Sequence, residues 1–208
     1  MIKRYFTVSG YAENTIIIER SKFIGYVSSA ENENQAKEFI EKIKKQNSLA
    51  THNCYAYIAC SGQAVKFSDD GEPSGTAGMP ILEVIKNKNL LNCVVVVSRY
   101  FGGIKLGTGG LARAYSSCCA ESLDKGGIAE FVLCKELNIT VSYENFAATQ
   151  KYIESKKILV ISTDYGINIF LKIAVFIDEF QSFIKDLTDF MQGKVQICEG
   201  NEKFFSRI

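Results

Sequence analysis

The residues best suited to chemistry lie between positions 99 and 113, where glycines and cations are concentrated. The segment holds Arg99, Gly102, Gly103, Lys105, Gly107, Gly109, Gly110 and Arg113. Glycine lets the backbone approach a ligand closely, and the first N–H groups of a helix are unpaired donors at its positive end. Arginine adds forked donors that match phosphate or carboxylate. The pattern predicts an anion-binding site; the alternative is a tight turn whose glycines serve only packing.

Two signatures of nucleotide binding are absent from this segment. Gly102 and Gly107 have the spacing of a P-loop, but Thr108 stands where the phosphate-binding lysine would be. The pattern G-x-G-x-x-G is missing as well. Tyr100 and Phe101 precede the first glycines, and they are candidates either for stacking on nucleic-acid bases or for packing the end of a strand.

A second group of chemical residues consists of three carboxylates and the single histidine. Asp69, Asp70 and Glu72 fall within four positions, and His52 lies upstream. Carboxylates this close repel, so they need water, a cation or a basic partner. They are weak candidates for a Mg²⁺ or Ca²⁺ site, with His52 as acid or base. The alternative is a turn in which Asp residues accept from backbone N–H groups, and in which Ser74 or Thr76 caps the next helix. No cofactor is predicted.

The elements that position these residues follow from hydrophobic periodicity. Residues 94–97 are four valines without polar alternation, which predicts a strand buried on both faces. A helix is predicted from Leu111 to a stop at Gly126 and Gly127. Both strands and helices are predicted before this strand–loop–helix unit. After it, the hydrophobic pattern predicts the element order β-α-β-β-α-β. The sequence predicts an α+β protein with two domains. The first, 1–130, is expected to be a two-layer sandwich, and the second, 131–208, a ferredoxin-like plait.

Composition limits the other possibilities. The chain has 208 residues, 47% of them hydrophobic and 23% charged, with a net charge of +1, so any nucleic-acid surface must be a local patch. The seven cysteines form no C-x-x-C pair, which predicts reduced thiols. Since neither a signal peptide nor a membrane span is apparent, we expect a cytoplasmic protein with no membrane partner.

Three motifs, in order, resemble the YigZ/IMPACT family. They are 51–57 (Thr-His-Asn-Cys-Tyr-Ala-Tyr), 69–82 (starting Asp-Asp-Gly-Glu-Pro-Ser-Gly) and 98–107 (Ser-Arg-Tyr-Phe-Gly-Gly-Ile-Lys-Leu-Gly). The resemblance covers essentially the whole chain and implies the bacterial two-domain arrangement. It implies a first domain like the second domain of a small-subunit ribosomal protein, and a second domain similar to one of elongation factor G. The family's eukaryotic member IMPACT regulates translation under amino-acid starvation through protein contact.

Two functions are therefore predicted. The first is a translation-associated regulatory or binding protein that contacts RNA, the ribosome or translation factors through a glycine-rich, arginine-flanked cleft. The alternative is a phosphate-handling enzyme that uses the same cleft with a divalent cation, and the sequence does not decide whether the protein is an enzyme. We expect His52, the loop 69–72 and the segment 99–110 to line one cleft. In a purely structural account, Arg99 pairs with one of the three carboxylates.

Overall fold

The computed structural model describes residues 2–207. They form two compact units, Tyr5–Glu130 and Phe131–Arg207, and the second unit also includes the short stretch before Tyr5. The described residues contain five α-helices and two antiparallel β-sheets. No helix among them is long and apolar enough to cross a membrane.

The first unit is built on a five-stranded sheet with helices on both faces. Its elements are β1 (Arg4–Val8), β2 (Ala12–Ile18), β3 (Ser21–Ser29), α1 (Glu33–Gln46), β4 (His52–Ala59), β5 (Ala64–Ser68), α2 (Gly78–Asn87), β6 (Cys93–Tyr100) and α3 (Gly107–Gly126). Helix α1 lies on one face of the sheet, and α2 and α3 lie on the other. The unit therefore has three layers, and the prediction of a two-layer sandwich was wrong because helices cover both faces of the sheet. The strand order in the sheet is β2-β3-β6-β4-β5. Strand β6 is thus central, with β3 and β4 antiparallel on either side of it.

Strand β6 is buried on both faces, which confirms the prediction from its four valines. Val95 and Val97 pack into the core shared with α2 and α3, whereas Val94 and Val96 pack into the core shared with α1. Side chains of a strand alternate between faces, so a strand between two helical layers has no position that favours a polar residue. Strand β6 therefore provides a rigid base for the residues that follow it.

Helix α3 begins at Gly107, four residues before the predicted start. Glycine has a low helix propensity, so the sequence pattern placed Gly107, Gly109 and Gly110 in a loop. The structure instead places all three in the first turn of a 20-residue helix. The connection from β6 to α3 is consequently short, 101–106, and its glycines are Gly102 and Gly103.

The second unit has the predicted element order β-α-β-β-α-β. Its elements are β7 (Ile128–Val141), α4 (Tyr143–Ser155), β8 (Leu159–Tyr165), β9 (Ile169–Phe176), α5 (Phe180–Phe190) and β10 (Gln196–Arg207). Strands β10, β7, β9 and β8 are adjacent in that order. Apolar residues of β7 and β9 form one core with Ile153 of α4 and with Phe183 and Leu187 of α5.

Candidate functional site

A buried ion pair joins the end of β6 to the acidic loop. Arg99 Nη1 donates a hydrogen bond to Glu72 Oε1 at 2.6 Å, and the two side chains are 6% and 3% exposed. Tyr115 donates its hydroxyl to the same Glu72 oxygen at 2.8 Å. The Arg99 guanidinium also lies 5.4 Å from the ring centroids of both Phe23 and Phe101. The pairing agrees with the structural account of Arg99 and leaves this guanidinium little surface for an external anion.

Asp69 caps helix α2 from outside the helix. Its Oδ1 accepts hydrogen bonds from the backbone N–H groups of Ala77 and Gly78, at 3.0 and 2.8 Å, and its Oδ2 accepts one from Gly75 at 2.9 Å. The prediction that Ser74 or Thr76 caps this helix was wrong, since Thr76 donates its hydroxyl to the Pro73 carbonyl. A carboxylate at the positive end of a helix is stabilised by the N–H groups and the helix dipole.

Asp70 and Asp69 have different partners, so the three carboxylates do not gather around one point. Asp70 Oδ2 accepts from the Asn53 N–H at 2.7 Å, and Asp70 Oδ1 accepts from Lys44 Nζ at 3.0 Å. Across residues 2–207, no group of three or more His, Cys, Asp or Glu side chains is placed to hold a metal ion. The geometry therefore does not support the weak metal candidates Asp69, Asp70 and Glu72.

His52 lies beside this acidic loop, as expected. Its Nδ1 is 2.8 Å from the Asp70 carbonyl oxygen, and its Nε2 is 3.9 Å from Glu72 Oε2. A carbonyl oxygen only accepts, so Nδ1 carries a proton in this arrangement. Gly71 has φ +89°, and a Cβ there would lie 3.3 Å from Nδ1, so the loop approaches the ring closely because this residue is glycine. His52 and Arg99 thus both face Glu72.

Cys54 is not a nucleophile in this structure. Its thiol donates to the Asp69 carbonyl at 2.9 Å, and it lies 3.4 Å from the Tyr115 hydroxyl. Burial raises the pKa of the Cys54 thiol from 9.0 to about 12, so the thiolate that a cysteine enzyme needs is absent near neutral pH. All seven cysteines are free thiols, as predicted.

The predicted anion-binding residues divide into two groups. Tyr100 and Gly102 belong to internal packing: Tyr100 donates its hydroxyl to Asn47 Oδ1 at 3.0 Å, and a Cβ on Gly102 would lie 2.1 Å from the Arg20 carbonyl. Phe101 is 47% exposed although its ring meets Arg99. Gly103 is exposed with φ +85°. Among the predicted anion-binding residues, those from Lys105 onward lie around the start of α3.

Three residues of the second group, Lys105, Gly110 and Arg113, line a surface that we call the α3 N-terminal groove. It has a volume of about 460 Å³ and is lined by Ile18, Glu19, Ile104, Lys105, Leu106, Gly110, Arg113, Ala114 and Ser117. Lys105 and Arg113 are exposed. The N-cap residue of α3, Leu106, gives the helix no side-chain hydrogen bond, and the first N–H groups of a helix lack partners within it. Neither His52 nor the acidic loop lines this groove, so the single cleft predicted from the sequence is two separate groups of residues.

Comparison with known proteins identifies a family to which this chain is similar. A family model described as the Impact N-terminal domain matches residues 19–123. The IMPACT family member YvyE of Bacillus subtilis is 39% identical over 208 residues, which are 100% of this chain and 96% of that protein. The IMPACT family member YigZ of Escherichia coli is 31% identical over 183 residues, 86% of this chain and 90% of that protein. A solved structure titled "Crystal structure of an hypothetical protein" has a TM-score of 0.64 and 28% identity, covering 98% of this chain and 100% of that one.

Proposed function

This chain belongs to the IMPACT family, and we propose that it is a translation-associated regulatory protein that binds RNA at the α3 N-terminal groove. The family includes vertebrate proteins named IMPACT, and the sequence resemblance connects that family with the regulation of translation. The Impact N-terminal match, 19–123, includes every residue of the groove except Ile18. The groove is thus part of the region that defines the family in this chain.

The observation that carries the proposal is the exposed, uncapped first turn of α3 beside two cations. Helix α3 starts with Gly107, and its N-cap residue Leu106 provides no side-chain cap. A phosphate at such a position accepts from backbone N–H groups and is favoured by the positive end of the helix dipole. Arg113 Nη1 lies 3.8 Å from where a Cβ on Gly109 would be, so its guanidinium is next to the same turn.

The surroundings of this turn suit a nucleic acid better than a free phosphate. Phe101 and Ile104 are 47% and 36% exposed on the connection that leads into α3, and an exposed aromatic ring offers a base a surface for stacking. Glu19 lines the groove and reduces its net positive charge. Phosphate binding then depends on the N–H groups, Lys105 and Arg113 rather than on an overall basic field, which agrees with the net charge of +1.

The enzyme alternative requires a divalent cation, and the acidic loop offers no place for one. Asp69, Asp70 and Glu72 each accept hydrogen bonds from protein donors. These hydrogen bonds stabilise the negative charges of the neighbouring carboxylates without a metal ion. RNA binding is therefore the better-supported of the two functions.

We further propose the finer fold assignments that the resemblance implies. The adjacency β10-β7-β9-β8 with both helices in one core supports a ferredoxin-like plait for 131–208, similar to a domain of elongation factor G. For 1–130 the ribosomal-protein-like assignment rests on the resemblance, and the sheet carries helices on both faces. In this proposal the second domain contributes partner specificity, while phosphate binding belongs to the first.

Cosedimentation with purified ribosomes tests the proposed function. The full chain should pellet with ribosomes at low salt and be released as salt rises, because the contacts are mainly to phosphates. The Lys105→Ala/Arg113→Ala variant should pellet less than the wild type at each salt concentration. Pelleting that is independent of salt and unaffected by this variant would contradict RNA binding and would favour protein contact. A Mg²⁺-dependent release of phosphate from nucleotides that requires His52 would favour the enzyme.

A further inference from the structure

The second unit carries a concentrated apolar surface around β8 and the turn to β9. We call it the β8 patch, and it consists of the exposed residues Leu159, Val160, Ile161, Tyr165, Ile167 and Phe170. Ile167 is 97% exposed and Tyr165 is 65% exposed. The patch occupies a stretch of 12 residues in which Asp164 is the only charged side chain. Single exposed apolar residues are ordinary, but a contiguous group is typical of an interaction surface.

Strand β8 lies at the edge of its sheet. It pairs antiparallel with β9, and in the part of the chain that the structure describes no other strand pairs with it. The outer N–H and C=O groups of such a strand are available to another strand. Proteins commonly protect an edge strand with lysines, proline or β-bulges. Leu159–Tyr165 contains neither lysine nor proline, although it has a bulge at Ile161. The edge and the apolar patch therefore coincide.

The charges at the two ends of β8 are opposite. Lys156 and Lys157 precede the strand and are exposed, whereas Asp164 lies near its other end and is also exposed. An antiparallel copy of the same strand places the lysine end of one chain beside the aspartate end of the other. The strand is thus electrostatically complementary to itself in this orientation, and two such contacts form for each pair of chains.

We propose that the β8 patch is a homodimer interface in which β8 pairs antiparallel with β8 of a second copy across a two-fold axis. The pairing joins the two sheets, satisfies the open backbone groups and covers apolar side chains of the patch. A second copy fits better than another partner because the charges at the strand ends match in that arrangement. Two-fold pairing uses the same surface on both chains, so the assembly closes at two copies.

The β-bulge in β8 is consistent with a closed dimer rather than open-ended growth. The register with β9 shifts between Val160 and Ser162, so Ile161 is an extra residue. A bulge bends the strand and increases its twist. Long, flat edges favour aggregation, whereas a twisted edge limits pairing to a short segment. The Ile161 side chain, 38% exposed, lies in the middle of the proposed interface.

Sedimentation velocity of the full chain tests the interface by charge reversal. The wild type should be a dimer that dissociates on dilution. Asp164→Lys places like charges at both ends of the interface and should raise the dimer dissociation constant by about tenfold, with a smaller effect at high salt. The triple variant Lys156→Asp/Lys157→Asp/Asp164→Lys restores opposite charges and should return the constant toward the wild-type value. Failure of the triple variant to recover dimerisation would overturn the antiparallel arrangement.

A pair of matched substitutions tests the position of the interface. Ile161→Lys should yield a monomer at concentrations where the wild type is a dimer. Ile17→Lys introduces the same charge at an apolar side chain that is 72% exposed on β2, and it should remain a dimer. Thermal unfolding of both variants shows that the fold is retained. A wild type that is monomeric at submillimolar concentration, or equal dimerisation of both lysine variants and the wild type, would overturn the proposal.

Discussion

Arg99 and Glu72, 27 positions apart in the sequence, share a hydrogen bond of 2.6 Å inside the first unit. The contact fixes the acidic loop against the end of β6, next to the connection that leads into α3. Tyr115 of α3 donates to the same carboxylate, so one buried oxygen links the loop, the strand and the helix. Arg99 therefore acts by holding the framework of the site, and the exposed cations Lys105 and Arg113 remain for a ligand.

Replacing Arg99 with alanine should destabilise the protein without weakening RNA binding specifically. The substitution leaves Glu72 buried without its cation, which typically costs about 3–5 kcal/mol. The free energy of unfolding, measured with urea, should fall by about that amount. RNA affinity should stay near the wild-type value at a temperature where the variant is folded.

A double substitution separates the lost pair from lost packing. In Arg99→Met/Glu72→Leu both charges are replaced by apolar side chains, so no unpaired charge stays buried, and stability should recover most of the loss. If Arg99→Ala is as stable as the wild type but binds RNA poorly, then Arg99 is a ligand-binding residue and this account of it is wrong.

Asp69 should contribute to stability through helix α2. Asp69→Ala removes the acceptor for three backbone N–H groups, and loss of a helix cap costs about 1–2 kcal/mol. Ser74→Ala is the matched control, because Ser74 is exposed in the same loop and should change the unfolding free energy by less than about 0.5 kcal/mol. Similar effects of the two variants in urea unfolding would argue against capping by Asp69.

Stability should fall in alkaline solution partly because of Cys54. Burial raises the pKa of this thiol from 9.0 to about 12 in the folded protein. Between these values the unfolded chain has lost the proton while the folded protein keeps it, so the free energy of unfolding decreases as pH rises. Below the unfolded value the contribution is fully present. Denaturant unfolding at a series of pH values should show this decrease above about pH 9.

Cysteine variants identify the source of that pH dependence. The slope of unfolding free energy against pH is proportional to the difference in bound protons between the folded and unfolded states. Cys54→Ala should reduce that difference by up to one proton, whereas Cys198→Ala, at an exposed cysteine, should leave it unchanged. Burial also raises the pKa of Tyr115, so part of the slope should remain in both variants. An unchanged slope in Cys54→Ala would show that this thiol is not buried as the structure describes.

The parts of the structure that sequence reasoning predicted are those governed by local patterns. The four valines of β6 indicated two buried faces because a strand between helical layers has no polar side. Asn32 and Gln35 have the spacing of a capping box, and the Asn32 side chain accepts from the Gln35 N–H at 3.0 Å. The predicted start of α3 was wrong. Because glycine has a low helix propensity, the sequence did not indicate that Gly107, Gly109 and Gly110 form the first turn of this helix.

The parts that sequence reasoning missed depend on contacts between distant positions. Asp69 stands eight residues before Ala77, whose N–H it binds, while capping signals are read within three or four residues. The sequence showed that Arg99 and the three carboxylates lacked local partners, but the choice of Glu72 requires the fold. The separation of the α3 N-terminal groove from His52 likewise follows from the path of the chain and not from spacing.

The most direct test of RNA binding at the α3 N-terminal groove is the salt dependence of affinity for a labelled single-stranded RNA, measured by fluorescence anisotropy. Lys105→Ala/Arg113→Ala should weaken binding by about 5- to 30-fold, because two exposed phosphate contacts are worth roughly 1–2 kcal/mol together. The slope of log affinity against log salt should decrease by about 1.4. Lys42→Ala/Lys45→Ala removes the same charge from exposed positions on α1 and should have little effect. Equal losses in the two double variants, or unchanged affinity and slope in Lys105→Ala/Arg113→Ala, would contradict the proposed site.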